Sequence, residues 1–513
     1  METQESVPIT EKRSFAPGDV VMACDPLVWV LERSAYKTHC AFCLKDGQGL
    51  RKCAGCQLHH YCNTTCQTAD WKMEHKAECA MLKQMGLVNG ETEPTVILLA
   101  GLRGGRTSQP FPMSTDIFRD MTTKLDFKVK RNAMMDVSGM GSKSVAEVLR
   151  MMPANHADPE SHPVLPFEKS SMLPDKSIYY EILSYNTWPL YDVLTGYGKD
   201  PIGFALYSQT VRHQMTPVCW DINVVLNRRG RQLFIHAAED IPQYTGLKDL
   251  RYSELMEPSR QTCEERRGEF RKRHGYPCPC RRCTDEYDAD INRLRCVTVG
   301  CTNRIPSDRR AQAACSECGA INRSRLVQFR RFVQEYEGLK WRHNGTASMA
   351  MNMMMNLGHE VENADILQPD AHFRHVCAWM IPNKYFNENR LEEGWKMTVG
   401  LTLCVRKIYP KYDVCRGLQL MGQGITASTA LYQRAVNRTG RLPGPGKNEL
   451  GILAPQISHL AIKYCEEAKE IFTVLFGEES QEVQQAEAAL ERVTTNIRPI
   501  ERAFRGSGWK AKK

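Results

Sequence analysis

Eight metal-binding side chains crowd into forty residues of this chain: Cys40, Cys43, Cys53, Cys56, Cys62, Cys66, His75 and Cys79. Their spacing reads C-x2-C-x9-C-x2-C-x5-C-x3-C-x8-H-x3-C. Zinc takes four sulfur or imidazole ligands in a tetrahedron, so eight ligands fill two closed sites. So short a segment has too little apolar core to fold without metal. Cys62/Cys66 and His75/Cys79 are each four apart, which predicts each pair on one helix face. Alternation predicts a cross-brace, with Cys40, Cys43, Cys62 and Cys66 on one ion and Cys53, Cys56, His75 and Cys79 on the other. Neither site keeps an open position for water, so the expected role is structural. His59 and His60 are spare and read as surface residues.

A second cysteine block spans 278–318. Cys278, Cys280 and Cys283 form C-x-C-x2-C, three thiolates for one zinc whose fourth ligand lies elsewhere. Cys296, Cys301, Cys315 and Cys318 form C-x4-C-x13-C-x2-C, which could close a zinc-ribbon-like site alone. The chain has 21 cysteines, and its N-terminus shows no apolar secretory segment. Clustered thiols then point to metal before disulfides.

The rest of the sequence is ordinary globular material. The 513 residues suggest about three domains. The longest apolar run, Val96–Leu102, is far too short to span a bilayer, so no membrane is expected. Charge is uneven: the chain carries +9, and residues 260–331 hold 17 basic against 9 acidic side chains. Such a stretch suits nucleic acid or an acidic protein partner. It lacks the interleaved aromatics of a base-stacking surface, which disfavours nucleic acid.

Ala16-Pro17-Gly18 predicts a turn before extended apolar segments. Ile202–Tyr207, Ile222–Leu226 and Gln232–Ala237 read as strands, with a hairpin turn at Asn227-Arg228-Arg229-Gly230. From about residue 325 the pattern is helical. Leu460, Ala461, Tyr464, Ala468, Ile471, Phe472 and Leu475 recur at three- and four-residue spacing, with Gly477 as a stop. Val483, Ala486, Leu490, Val493 and Ile497 make a second stripe. These predict tetratricopeptide-like helix pairs, with 440–451 as an inter-helix loop.

The string Tyr61–Cys79, YCNTTCQTADWKMEHKAEC, resembles a MYND finger, a module that binds short proline-containing peptides. RING and PHD fingers also use eight ligands, but their histidine falls earlier. The order of finger, strand-rich region, C-x-C-x2-C and helices resembles the SET-and-MYND (SMYD) family of protein-lysine methyltransferases. Further matching strings are Lys12–Val21, Ser184–Trp188, Ile202–Tyr207, Leu250–Leu255, Cys263–Phe270 and Cys278–Cys283. The resemblance implies an α+β, zinc-rich multidomain fold. Residues 1–39 and 181–256 would be the two parts of a β-rich SET core split by the finger at 40–79. Residues 80–180 would be a mostly helical insert, 257–320 a post-SET and zinc-ribbon-like region, and 321–513 a TPR-like helical domain.

The resemblance also implies a chemistry: methyl transfer from S-adenosylmethionine to a lysine of a histone or other protein. It makes Tyr252 the tyrosine that orients the amine, Trp188 a wall of the substrate channel, and Asn186 and His213 cofactor contacts. Two zinc ions in the finger and one or two after the core complete the expected cofactors. Two departures fall on the cofactor side. Where the family has Gly-x-Gly, this chain reads Ser6-Val7-Pro8-Ile9-Thr10-Glu11, although proline lacks an N–H and glycine alone lacks a Cβ. Where the family has an Asn-His-Ser-Cys run, this chain reads Arg212-His213-Gln214-Met215. The zinc-ligating cysteine is thus replaced by Met215, leaving either Cys219 as substitute or a degraded site. The alternative function is a catalytically inactive zinc scaffold that recruits proline-containing peptides in transcription regulation. Nucleus and cytoplasm are the expected locations.

Overall fold

The computed structural model describes residues 13–47, 49–76, 79, 188–190, 202–207, 215–253, 261–274, 276–341, 347–378, 381–388, 390–437 and 449–504. The insert expected at 80–180, Asn186 and His213 lie outside the described residues.

The turn at Ala16-Pro17-Gly18 separates β1 (Arg13–Phe15) from β2 (Val20–Cys24), and β3 (Pro26–Leu31) follows. Gly18 adopts φ +94°, which favours a residue without a Cβ. An added Cβ would lie 2.9 Å from the Tyr412 ring and 3.1 Å from Val474, where the sheets meet the C-terminal helices. The finger supplies β4 (Arg51–Lys52), β5 (His60–Tyr61) and α1 (Thr64–Asp70), continued by a π-helical turn over Trp71–His75.

Seven more strands complete the core: β6 (Trp188–Leu190), β7 (Gly203–Tyr207), β8 (Thr216–Pro217), β9 (Val224–Arg229), β10 (Gln232–Ala237), β11 (Ile241–Tyr244) and β12 (Arg251–Tyr252). They form small sheets: β3-β7-β6, β2-β10-β9, the antiparallel pair β1-β11 and the parallel pair β8-β12. The β9–β10 hairpin is tighter than the sequence suggests. Arg229 pairs with Gln232, so the turn is Gly230-Arg231, and Asn227–Arg229 complete the strand. Those residues stay extended because the Asn227 and Arg229 side chains are taken up by a helix end.

After the core come α2 (Cys263–His274), a 3-10 turn at Arg281–Cys283, α3 (Asp285–Ile291), β13 (Leu294–Arg295) and β14 (Arg304–Ile305). The helices α4 (Arg323–Trp341), α5 (Ala347–Ala364), α6 (His372–Ala378), α7 (Ile381–Asn387), α8 (Leu391–Ile408), α9 (Val414–Asn437), α10 (Glu449–Phe476) and α11 (Gln481–Phe504) finish the chain. The α10 stripe from Ala461 to Leu475 is buried as its spacing requires, with Leu460 half-buried at its start, and Gly477 ends the helix at φ +89°. Helix α10 begins at Glu449, so the end of the expected 440–451 loop is helical. No helix among the described residues is long and apolar enough to cross a membrane.

The finger and the sheets share one core. Trp29, Leu31, Ala205 and Ile235 pack in the same cluster as Cys40, Leu44 and Tyr61. Trp29 Nε1 donates to Ala41 O at 2.9 Å. The Arg231 guanidinium lies over both Trp29 and Phe42, 4.8 and 4.5 Å from their ring centres. The helices α8–α11 form a second core that takes in Val225 and Ala238 of the sheet region. At the end of α10 the free carbonyls are satisfied by sheet side chains. Arg229 donates to Leu475 O and Val474 O at 2.8 Å each, and Asn227 Nδ2 to Leu475 O at 2.5 Å.

Candidate metal centres and reaction strand

Sixteen candidate ligands gather into four groups of four, each with its ligand atoms within 4.8 Å of one another, and His59 and Asp70 stand equally close to His75 as a fifth group. The first is Cys40, Cys43, Cys62 and Cys66; the second is Cys53, Cys56, His75 and Cys79. This is the alternation expected of a cross-brace. The helix-face expectation needs adjustment. Cys62 precedes α1, and Asn63 caps that helix by accepting from Cys66 N at 2.8 Å. The cap, rather than a full helical turn, sets Cys62 Sγ 3.3 Å from Cys66 Sγ. In the second group His75 Nε2 lies 3.4 Å from Cys53 Sγ and 3.6 Å from Cys56 Sγ.

These separations suit zinc. Ligands about 2.3 Å from one ion stand about 3.8 Å apart at tetrahedral angles, far beyond the about 2.05 Å of a disulfide. Cys43–Cys62 measures 3.9 Å, Cys53–Cys79 3.8 Å, Cys296–Cys318 3.5 Å and Cys301–Cys315 3.7 Å. All 21 cysteines are free of disulfides. The thiols also hydrogen-bond among themselves. The Cys43 thiol pulls Cys40 down to about 5 while Cys43 itself is pushed up. Such shared protons are what a zinc ion displaces.

His59 is the misjudged residue of the finger. It is buried, stacked on His75 with ring centres 4.6 Å apart. Asp70 is fully buried beside it, accepts from Tyr61 Oη at 2.7 Å, and lies 3.8 Å from His59 Nδ1. A carboxylate and an imidazole behind a metal-ligating histidine form an outer shell that fixes the ligand ring. The sequence hint was the His-His pair beside the β5 tyrosine, which looked merely polar.

The third group resolves the open ligand. Cys219 joins Cys278, Cys280 and Cys283, with Cys219 Sγ 3.6 Å from Cys280 Sγ and 3.2 Å from Cys283 Sγ. Met215 is instead a buried core residue. Trp220 follows Cys219 and lies against two buried arginines: Arg266 and Arg282 have their guanidinium carbons 4.3 and 4.8 Å from its ring centre. Four thiolates around Zn2+ carry a net charge of about −2, so these buried cations sit where negative charge would be concentrated.

The fourth group, Cys296, Cys301, Cys315 and Cys318, closes a site between β13, β14 and the turn before α4. Asn303 Nδ2 donates to Cys315 Sγ at 3.1 Å and holds that thiol down to about 6. Its apolar base packs against α4, α5 and α6.

Of the expected reaction residues, Tyr252 is described with its side chain. It is buried on β12, where pairing with β8 sets Tyr252 against Pro217. Val218 N donates to Tyr252 O at 2.8 Å, and Ser253 Oγ to Cys219 O at 3.0 Å. The tyrosine strand is thus tied to the backbone that presents a metal ligand. Trp188 begins β6, opposite Ala205 of β7.

Comparison with known proteins adds three observations. The MYND finger family model matches residues 40–79. N-lysine methyltransferase SMYD2-B of Xenopus laevis is 34% identical over 134 residues, 25% of this chain and 31% of that protein. N-lysine methyltransferase SMYD2 of Bos taurus is 24% identical over 293 residues, 55% of this chain and 59% of that protein, and a SET and MYND domain-containing protein of Dictyostelium discoideum is 34% identical over 106 residues, 19% of each. The matched regions cover less than two thirds of each of these relatives.

Proposed function

We infer that this chain, which belongs to the SET-and-MYND family as a divergent member, is a protein-lysine N-methyltransferase using S-adenosylmethionine. The observation that carries the reading is the anchoring of Tyr252. It sits buried on a two-residue parallel strand, held on one side by β8 and tied by Ser253 to the Cys219 backbone. A tyrosine that orients a reacting amine needs this kind of fixed support.

When bound, the cofactor supplies the methyl group. The chain's part is to deliver a neutral amine. A lysine amine has a reference pKa of about 10.4, and a buried apolar channel lowers it by penalising the charged form. Tyr252 would hold the amine by its hydroxyl, Trp188 would form a channel wall, and Asn186 and His213 would meet the cofactor. Half-exposed Trp71 and Met73 on the finger offer an apolar face for a proline-containing peptide. The zinc centres of the finger and of the Cys219 group supply no reaction step; they hold the split core in shape. Nucleus and cytoplasm are the proposed locations.

One observation favours the inactive scaffold as a second reading. Arg212 and the Ser6–Glu11 run replace the asparagine and glycines that the family places at the cofactor. Calorimetric titration of the zinc-loaded full chain with S-adenosylmethionine decides between the two. Saturable heat with a matching rise in melting temperature is expected of the methyltransferase. No heat and no shift at millimolar cofactor overturns it in favour of the scaffold.

A further inference from the structure

The ribbon group is the zinc centre that the methyltransferase reading leaves without a task. Its outer surface has an unusual composition. Val299 stands 99% exposed in the loop between Cys296 and Cys301, with Val297, 40% exposed, beside it. Val297 N donates to Asn322 Oδ1 at 2.7 Å, which ties that loop to the residue after Ile321, itself 61% exposed. One turn into α4, Val327 is 60% exposed. Four branched aliphatic side chains thus lie in water on the ribbon and the first turn of the helix that follows it. Isolated exposed apolar residues are ordinary; a grouped set marks a contact surface.

The charges beside this set are equally specific. Most arginines of the region are spent on internal pairs. Arg304 meets Asp370, Arg310 meets Asp308 and Asp290, Arg295 meets Asp365, and Arg331 meets Glu335 and Glu360. Among the described residues Arg323 and Arg330 have no such partner. Arg323 lies two residues from Ile321 and one helical turn from Val327, and Arg330 lies three residues beyond Val327, all at exposed positions. The patch is therefore aliphatic at its centre and cationic along its α4 edge, with one exposed carboxylate, Glu317, hydrogen-bonded to Thr302 on the ribbon side.

We propose that this ribbon-and-α4 face docks an acidic protein segment with aliphatic anchors. The valines and Ile321 would take the anchors, and Arg323 and Arg330 would take the flanking carboxylates. Two free cations beside branched aliphatics suit a short acidic peptide better than nucleic acid, which needs a longer cationic track and flat rings for stacking. The zinc centre's task is then to hold the Val297–Val299 loop rigid, since four thiolates fix it where no large core does.

The test uses the zinc-loaded full chain and a fluorescein-labelled synthetic peptide of leucines interleaved with glutamates, followed by anisotropy. Saturable binding that weakens with salt is expected. The double variants Val299→Ser/Ile321→Ser and Arg323→Glu/Arg330→Glu should each weaken it at least about tenfold. Trp71→Ala on the finger should leave the affinity unchanged. The substituted side chains are exposed, so metal content and melting temperature should match the parent. A peptide that does not bind, or that binds both double variants as it binds the parent, overturns the proposal. So does duplex DNA that displaces the peptide and loses affinity in the same variants. The readout needs no cofactor, so its failure leaves the methyltransferase reading standing, and the converse holds.

Discussion

Cys219 Sγ lies 3.2 Å from Cys283 Sγ although 64 residues separate them. The approach follows from the β8–β12 pairing. Thr216 N and Val218 N donate to Leu250 O and Tyr252 O, which sets the chain after β8 so that Cys219 enters the C-x-C-x2-C triple. The metal centre and the tyrosine strand therefore form one mechanical unit. Trp220 extends that unit to the helices, since both its Nε1 and Arg282 Nη1 donate to Ile408 O at the end of α8.

Cys219→Ser should remove one zinc equivalent from the four-site chain, because three thiolates remain where four converged. Elemental analysis of the purified variant should fall from four zinc ions toward three. Met215→Ala should keep all four and lose stability by about 2–5 kcal/mol, as a buried core methionine does. Full zinc in the serine variant, or zinc loss in the alanine variant, would reverse the assignment.

What could be read in advance follows the range of the interaction. The finger's two groups were legible because Cys40 to Cys79 carry their geometry in local spacing. Likewise the α10 stripe needs only the 3.6-residue period to place Tyr464 and Phe472 inside. The fourth ligand of the third group stayed open between Cys219 and none, because only the long-range strand pairing brings it to Cys283. His59 was missed for a related reason. A polar residue is buried when its partners are supplied, and Asp70 and the His75 ring reach it only after α1 folds back on β5. Asn227 and Arg229 looked like turn residues until the end of α10 arrived to use their donors.

Asp413 gives a pH signature. Burial pushes its carboxyl up to about 6 from an ordinary 3.8, although Cys415 N donates to it at 2.7 Å and Arg416 N at 3.3 Å at the start of α9. A folded value above the unfolded one means that the protonated form is favoured in the fold. Its stabilising contribution is complete below about pH 4 and lost as pH rises through 6. Asp413→Asn keeps the capping acceptor and removes the charge. Its melting temperature should exceed the parent's at pH 8, by an effect on the order of 3 kcal/mol, and the gain should shrink toward pH 4. A gain independent of pH would sink this account.

Tyr61→Phe tests the outer shell of the finger. It deletes the hydroxyl that donates to the fully buried Asp70 at 2.7 Å and leaves the ring's packing in place. Losing a donor to a buried carboxylate should cost about 1–3 kcal/mol. The chelator concentration that strips the finger should also fall, since Asp70 and His59 stand behind the ligand His75. Competition with a chromogenic chelator reads the second effect apart from the first. An unchanged melting curve and unchanged chelator resistance would show that the shell holds nothing.

Arg229→Ala tests the joint between sheets and helices. The parent side chain, its guanidinium held below its usual value by burial, donates to Leu475 O and Val474 O. Removing it leaves Val474 O without that donor, while Leu475 O keeps the Asn227 amide. The expected loss is about 1–3 kcal/mol, as for a charged donor withdrawn from partly buried carbonyls. The loss should be local. Amide hydrogen exchange should accelerate at the end of α10 and in β9, while the finger, closed by its own two ligand groups, keeps its protection and its zinc. Uniform acceleration across both regions would instead mean that the joint is part of one indivisible folding unit.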